Sequence, residues 1–380
     1  MGKLFLQSIK NLKKCLRTCQ LMAVFSLLLS STVGCNLDHK QPNLRINQAP
    51  ILESSTYQQC QPFDVDHLSH QGTATQPWQI AYLFKTRSDP FWQQMEQGVQ
   101  TVAQELGIKT LVKFTEEKPN TLGDVKKQIS TILELIDNND LDGLVIAPED
   151  SIQLVPIIEK ATQQGIKVIV IDTPIDTDQI LTFVTFDNFE GGQILGEWVI
   201  QKLTQSSRRN NKINILILEG SLHEENTIER RQGFLEGLKR ANKNYSLEIL
   251  DLKSADWETK KAKMITQAWL EKFPTIDVIM AADDQMAVGA SEAVQEANKS
   301  GIIITGFDGT PYGLNAIKTG QIDATINQLP RTQISLITQL MINSLEKEQT
   351  TLPLCQLIGQ EQTENSLLIT QDNINEALNP

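Results

Sequence analysis

At 380 residues the chain is long enough to build two substantial cores. Its net charge of −12 and the absence of any basic stripe exclude a nucleic-acid binder, which needs a phosphate-neutralising face. Cysteines at 15, 19, 35, 60 and 355 and four scattered histidines supply no paired metal ligands, so neither a metal nor a cofactor is expected.

The first 35 residues differ in character from the rest. Lys3, Lys10, Lys13, Lys14 and Arg17 precede L-M-A-V-F-S-L-L-L-S-S-T-V-G-C, a basic region, a short apolar region and small residues before Cys35. Leu21–Val33 is too short for a transmembrane helix. The junction T-V-G-C resembles the lipobox of bacterial lipoproteins, whose cysteine is acylated after cleavage. That resemblance implies a lipid anchor at Cys35, on the periplasmic side of the inner membrane. Thr32 stands where the pattern usually has Leu, which leaves ordinary signal-peptide cleavage and a soluble periplasmic protein as the alternative. Residues 36–77, rich in Gln, Asn, Ser, His and Pro, read as a linker or arm. An exported chain permits a disulfide between Cys60 and Cys355; two free thiols are the other reading.

From Trp78 onward apolar runs alternate with helical patterns. Strands are predicted at 78–84, 108–114, 141–147, 167–172 and 181–186, with helices over 91–106, 121–138 and 152–164 between the first four. A second series follows: helix 188–203, strand 213–219, helix 226–241, strand 246–252, helix 256–272, strand 277–281, helix 284–298 and strand 301–307. A short helix at 311–318, an apolar run near 322–328, a helix at 332–346 and a last edge strand at L-L-I-T complete the chain. Strands rich in Ile, Val and Leu separated by helices mean parallel sheets covered on both faces. The units are too many for one doubly wound sheet, so the expected fold is α/β with two similar Rossmann-like lobes. A β/α barrel is the rival; the break at 173–187 and a unit count that does not close at eight disfavour it.

In such folds ligands bind outside the carboxyl ends of the strands. Those positions hold Asp89, Phe91 and Trp92 after the first strand, then Asp150, Asp172 and Phe186-Asp187-Asn188. In the second series they hold Glu219 and His223 before the helix carrying Arg230, then Trp257, Asp283, Asp284, Phe307-Asp308 and Gln328. Carboxylates, amides and an arginine take hydroxyls in hydrogen bonds, while aromatic faces cover C–H surfaces, so this set suits a polyhydroxylated ring. Each member has a local alternative. Asp89 also reads as an N-cap before Pro90, Asp283 or Asp284 as another cap, Phe91 or Trp92 as core, and Arg230 as a surface ion pair. No G-x-S-x-G elbow, Walker loop or H-E-x-x-H occurs, and G-F-D-G-T-P-Y-G lacks dinucleotide spacing. Asp172 with Asp308 as an acid–base pair is the weakest reading, so no enzyme is expected.

In D-P-F-W, D-G-L-V-I-A-P, V-I-V-I-D, T-F-D-N-F-E-G-G, E-R-R-Q-G-F, A-A-D-D-Q-M-A-V-G-A, G-F-D-G-T-P and A-T-I-N-Q-L-P, residues 78–373 resemble the periplasmic sugar-binding proteins of the ribose-binding type, which feed ABC importers. The resemblance implies a type I periplasmic-binding-protein fold with a three-strand hinge, crossed near 186, 328 and the 350s. The N-terminal lobe is then 78–186 plus 329–355, and the C-terminal lobe 187–328 plus 356–380. It implies ligand contacts from Asp89, Phe91, Trp92, Asp172, Phe186, Arg230, Trp257, Asp283, Asp308 and Gln328. Asp89 and Asp283 stand at amide positions of ribose binders, Thr173 replaces an arginine, Ala147 an asparagine, and Phe186 a small hydroxyl residue. Such a pocket is more acidic and bulkier-walled than a ribose site, which favours a hexose, a polyol or an amino sugar. The implied protein is a monomeric solute receptor whose lobes close on the ligand for an ABC transporter permease, touching the membrane only through its lipid anchor. A periplasmic input domain for a separate sensor kinase or receptor is the alternative. A repressor's ligand domain is disfavoured, because an export segment stands where a DNA-binding helix-turn-helix belongs.

Overall fold

Unbroken Ile, Val and Leu runs form strands buried on both faces, and the segments between them form the covering helices. The computed structural model describes residues 44–45, 60–63, 74–116, 125–138, 140–205, 211–346, 352–359 and 367–378. All lie within one compact unit, Asn43–Pro380. Cys35 and the segment ahead of it lie outside the described residues. Among the described residues there are two seven-stranded sheets, and no helix is long and apolar enough to cross a membrane.

The N-terminal lobe begins with β1 (Leu44–Arg45) and β2 (Gln61–Pro62) upstream in sequence, of which only β2 joins its sheet. The body of that sheet is β3 (Gln79–Thr86), β4 (Lys109–Glu116), β5 (Gly143–Ile146), β6 (Lys167–Ile171) and β7 (Thr182–Phe186). Helices α1 (Pro90–Leu106), α2 (Val125–Asn138) and α3 (Val155–Gln163) connect the first four of these five strands. The C-terminal lobe runs through α4 (Asn188–Gln205), β8 (Lys212–Glu219), α5 (Glu225–Ala241), β9 (Ser246–Ser254), α6 (Thr259–Lys272) and β10 (Val278–Ala281). It continues through α7 (Asp284–Glu296), β11 (Ile303–Thr305), α8 (Pro311–Lys318) and β12 (Ala324–Ile326). Helix α9 (Pro330–Glu346) and β13 (Cys355–Ile358) return to the first lobe, and β14 (Leu368–Thr370) with α10 (Ile374–Ala377) finish on the second.

The strand orders are β2-β13-β7-β6-β5-β3-β4 and β1-β9-β8-β10-β11-β12-β14. The first sheet is parallel throughout; the second is parallel except at its edges, where β1 and β14 pair antiparallel. Each sheet separates two apolar clusters, giving each lobe a core on both faces. Two expected boundaries move. Cys355–Ile358 pairs with Phe183–Phe186 in the first sheet, so the return to the second lobe comes after residue 358 and not 355. The expected arm is not wholly free of structure either: Leu44–Arg45 pairs with β9, and Gln61–Pro62 with β13. Cys60 and Cys355 form a disulfide, with Cα atoms 4.6 Å apart, that fastens β2 to β13.

Helices α4 and α5 approach closely because glycines face each other along both. A Cβ on Gly192 or Gly196 would overlap a backbone carbonyl of α5, and one on Gly233 or Gly237 would overlap a carbonyl of α4. This contact fixes the height at which Arg230, on α5, stands over the sheet edge.

Candidate ligand cleft

The carboxyl ends of β3, β5, β6, β8, β9, β10, β11 and β12 point at one another across the two lobes and enclose a cavity of about 130 Å³. Asp89, Phe91, Trp92, Asp172, Arg230, Trp257, Asp308 and Gln328 all line it. These eight come from six separate stretches of sequence and meet because each stretch follows a strand end.

On the first lobe, Asp89 is extended and its Oδ1 accepts the Phe91 amide at 2.8 Å, capping α1 with Pro90 in the first turn. The cap fixes the helix start, so Phe91 and Trp92 project at the cavity. Their rings meet edge-on at 4.9 Å, and Trp92 stacks on Phe84 at 5.5 Å, which locks its orientation from behind. Lys85, one residue before the end of β3, is buried. Its Nζ donates to Thr173 Oγ1 at 2.6 Å and pairs with Asp172 at 3.1 Å and Glu224 at 3.4 Å. Burial pulls its pKa down, but Glu224, Asp172 and Glu149 outweigh that and hold it above the ordinary lysine value.

On the second lobe, Arg230 is fastened by three acceptors. Nε donates to Asn188 Oδ1 at 2.8 Å, and Nη1 donates to the Ala282 carbonyl at 2.6 Å and Asp308 Oδ1 at 3.1 Å. Its guanidinium lies 4.2 Å from the Phe307 ring centre and 5.6 Å from that of Trp257. Gln328 donates to the same Asp308 oxygen at 2.5 Å and is itself held by Gln333, which donates to its carbonyl at 2.6 Å. The Trp257 indole occupies space that Gly220 leaves open, since a Cβ there would overlap the ring.

Six non-glycine residues among those described have left-handed backbones, and four of them, Asp172, Asp256, Trp257 and Asp308, line this cavity. Such conformations cost free energy, persist where surrounding structure imposes them, and cluster at ligand sites.

Two of the expected contact residues stand apart from the lining. Phe186 turns into the core of the C-terminal lobe, where it meets Phe307 edge-on at 5.9 Å beneath Gly191 and Gly359. It therefore packs the first crossing between lobes and does not wall the cavity. Asp283 caps α7, accepting the Met286 amide at 2.7 Å, and lies behind the lining with 2% exposure. Its neighbour Asp284 is structural: it accepts from the Thr310 amide and hydroxyl, each at 2.8 Å, and from Thr325 at 2.6 Å. The lining also includes Lys85, Glu149, Glu224, Asn226 and Gln285, which the strand-end reading did not single out.

The electrostatics are dominated by acids. Burial pushes Asp89 up to about 6 against the lowering effect of the Phe91 amide, with Asp172 adding to the rise. Asp284 is likewise pushed up to about 6 by burial. Asp283 and Asp308 are raised well above the ordinary carboxylate range, first by burial and then by Asp89 and Asp284, with Asp283 adding to the rise at Asp308 and Arg230 opposing at both. Among the described residues no cluster of His, Cys, Asp or Glu is arranged to hold a metal ion. The cavity offers hydrogen-bonding groups, aromatic faces and charge, supplied from two lobes, which equips it to enclose a small polar molecule.

Residues 80–349 match the family described as "Periplasmic binding protein domain". The chain is 29% identical over 301 residues to the D-allose-binding periplasmic protein of Escherichia coli (strain K12), covering 77% of this chain and 92% of that protein. It is 29% identical over 251 residues to the ribose import binding protein RbsB of the same organism, covering 66% of this chain and 79% of that one. An ABC transporter periplasmic solute binding protein from Actinobacillus succinogenes 130z with bound D-allose shares the fold with a TM-score of 0.68 at 26% identity, over 79% of this chain and 99% of that one. With two parallel-sheet lobes around a lined cleft and a family match across most of its length, the chain belongs to the periplasmic binding protein domain family, whose members are receptors and not enzymes.

Proposed function

We propose that the protein captures a small polyhydroxylated solute, a sugar or polyol, between its lobes and presents it to the permease of an ABC importer. The observation that carries this reading is the composition of the two opposing walls. One lobe supplies Phe91 and Trp92, whose faces cover C–H surface. The other supplies Arg230, Asp308 and Gln328, fixed by hydrogen bonds to one another. The D-allose-binding and ribose import relatives, each 29% identical, support the solute class. Asp89, Asp172 and Trp257 complete the contact set in this reading, and Asp283 acts on it from behind. Closure of the lobes is the signal the permease reads, so the ligand works by shifting a population. The protein acts on the periplasmic side of the inner membrane, held there through Cys35.

A thermal-shift panel of pentoses, hexoses, inositols and amino sugars tests the solute. A ligand at 100 times its Kd stabilises the native state by about 2.7 kcal/mol, a shift of several degrees. One strong stabiliser is the expected result; no shift across the panel sinks the reading. For the anchor, Cys35→Ser releases the protein from membranes, and continued membrane association of that variant refutes lipidation at this cysteine.

A further inference from the structure

We infer that the solute carries a protonated amine, making it an amino sugar or aminocyclitol rather than a neutral sugar, and that its ammonium docks between Asp89 and Asp308. This rests on the function proposed above and narrows it. The cavity wall has two cations, and both are already engaged. Lys85 lies between Asp172 at 3.1 Å and Glu224 at 3.4 Å, and Arg230 pairs with Asp308 at 3.1 Å. Asp89 stands in the wall outside these pairs, and Asp283 and Asp284 lie just behind it, all within electrostatic reach of Arg230. Four carboxylates therefore surround one guanidinium, with Lys85 also within reach of Asp89, in a site closed to most solvent.

The oxygen inventory points the same way. Asp308 gives Oδ1 to both Arg230 and Gln328, while its Oδ2 has no hydrogen-bond partner among the described residues although the residue is only 6% exposed. Asp89 gives Oδ1 to the Phe91 amide, and its Oδ2 likewise has no hydrogen-bond partner among the described residues. Both side chains line the cavity. A hydroxyl can donate to either free oxygen, but it leaves the excess negative charge in place. An ammonium donates to both and removes the charge that burial makes costly.

The groups facing Asp89 are Lys85, Asp172, Arg230, Asp283 and Asp308; those facing Asp308 are Arg230, Asp283, Asp284 and Asp89. In the free protein part of this charge is relieved by bound protons, as the upward shift of Asp89 to about 6 reflects. An ammonium competes with those protons, so preference for the amine grows as pH rises from 5 toward 7.5.

Calorimetric titration of the purified full chain decides it, with matched sets: D-glucosamine, D-glucose and N-acetyl-D-glucosamine; the galactose equivalents; and scyllo-inosamine with scyllo-inositol. The expected result is one amine binding at least about tenfold tighter at pH 7.5 than both its hydroxyl parent and, where present, its N-acetyl form. That ratio shrinks at pH 5, and Asp89→Asn shrinks it at pH 7.5. A tightest binder that is neutral, with its amino counterpart equal or weaker, overturns the amine and leaves the sugar or polyol reading standing. Absence of binding across all sets also overturns the amine, while the broader thermal-shift panel decides the sugar or polyol reading.

Discussion

Asp89 is asked to do two things with opposite electrostatic preferences. As the cap of α1 it accepts an amide and favours the ionised form; as a wall residue it is desolvated beside Asp172, which favours the protonated form. The second wins, and its pKa rises to about 6. A carboxyl raised in the folded state lends stability that is complete below its ordinary value near 4 and is lost as pH climbs through 6. Asp284, raised to about 6, acts in the same sense. The ligand-free protein is therefore expected to lose stability between pH 4.5 and 7.5, read as a falling urea midpoint. Asp89→Asn, which still caps the helix, should raise stability at pH 7.5 by about 1–2 kcal/mol and flatten that slope. A slope unchanged by the substitution contradicts the assignment. Trp92 carries a different burden, since it belongs to the core as well as the cleft. Trp92→Ala should cost about 3–5 kcal/mol. Trp92→Phe should keep the fold and weaken ligand binding, which separates the two roles.

At the level of elements, the glycines between α4 and α5 connect packing to recognition. Gly233→Ala places a methyl group against the Phe189 carbonyl, so α5 must move away and carry Arg230 with it. Over-packing of this kind costs about 1–3 kcal/mol, and here the displaced guanidinium loses its bonds to Asn188 and Asp308. The expected outcome is a Kd raised at least about tenfold in the same calorimetric titration, alongside the modest loss of stability. An unchanged Kd means the helix pair does not set Arg230's position. Much of this framework was legible in the sequence. Strands such as Val168–Ile171 are buried on both faces, and their unbroken apolar runs show it. β1, β2 and β13 were not legible: two are two residues long, and the third carries Cys355 and Gln356 among its four. The same contrast holds in the cleft. A strand-end rule finds Asp172 or Asp308, because position along the chain decides where they go. It says nothing of whether Phe186 turns to the cavity or to the core, which packing against Phe307 decides. Lys85 was not legible as a wall residue because a lysine near a strand end ordinarily reaches water, whereas here Asp172 and Glu224 hold it inside.

Across the whole molecule, the pair Lys85–Glu224 links the end of β3 in one lobe to the start of α5 in the other. It spans the cleft and favours the closed arrangement without ligand. Glu224→Gln keeps the shape and removes the charge, leaving Lys85 with Asp172. Charged hydrogen bonds of this kind contribute about 1.5–3 kcal/mol. The variant should therefore populate a more open form, with a larger radius of gyration by solution scattering when ligand-free and the same radius as wild type when saturated. An identical ligand-free radius argues that the pair holds nothing shut.

The Cys60–Cys355 bond has a topological consequence. It turns the polypeptide between these positions into a covalent ring that contains both the crossing at Phe186 and the crossing at Gln328, and most of each lobe. A protease that nicks any surface loop inside the ring opens it without dividing the molecule. The nicked chain should run as one band on a denaturing gel without reductant and as two with it.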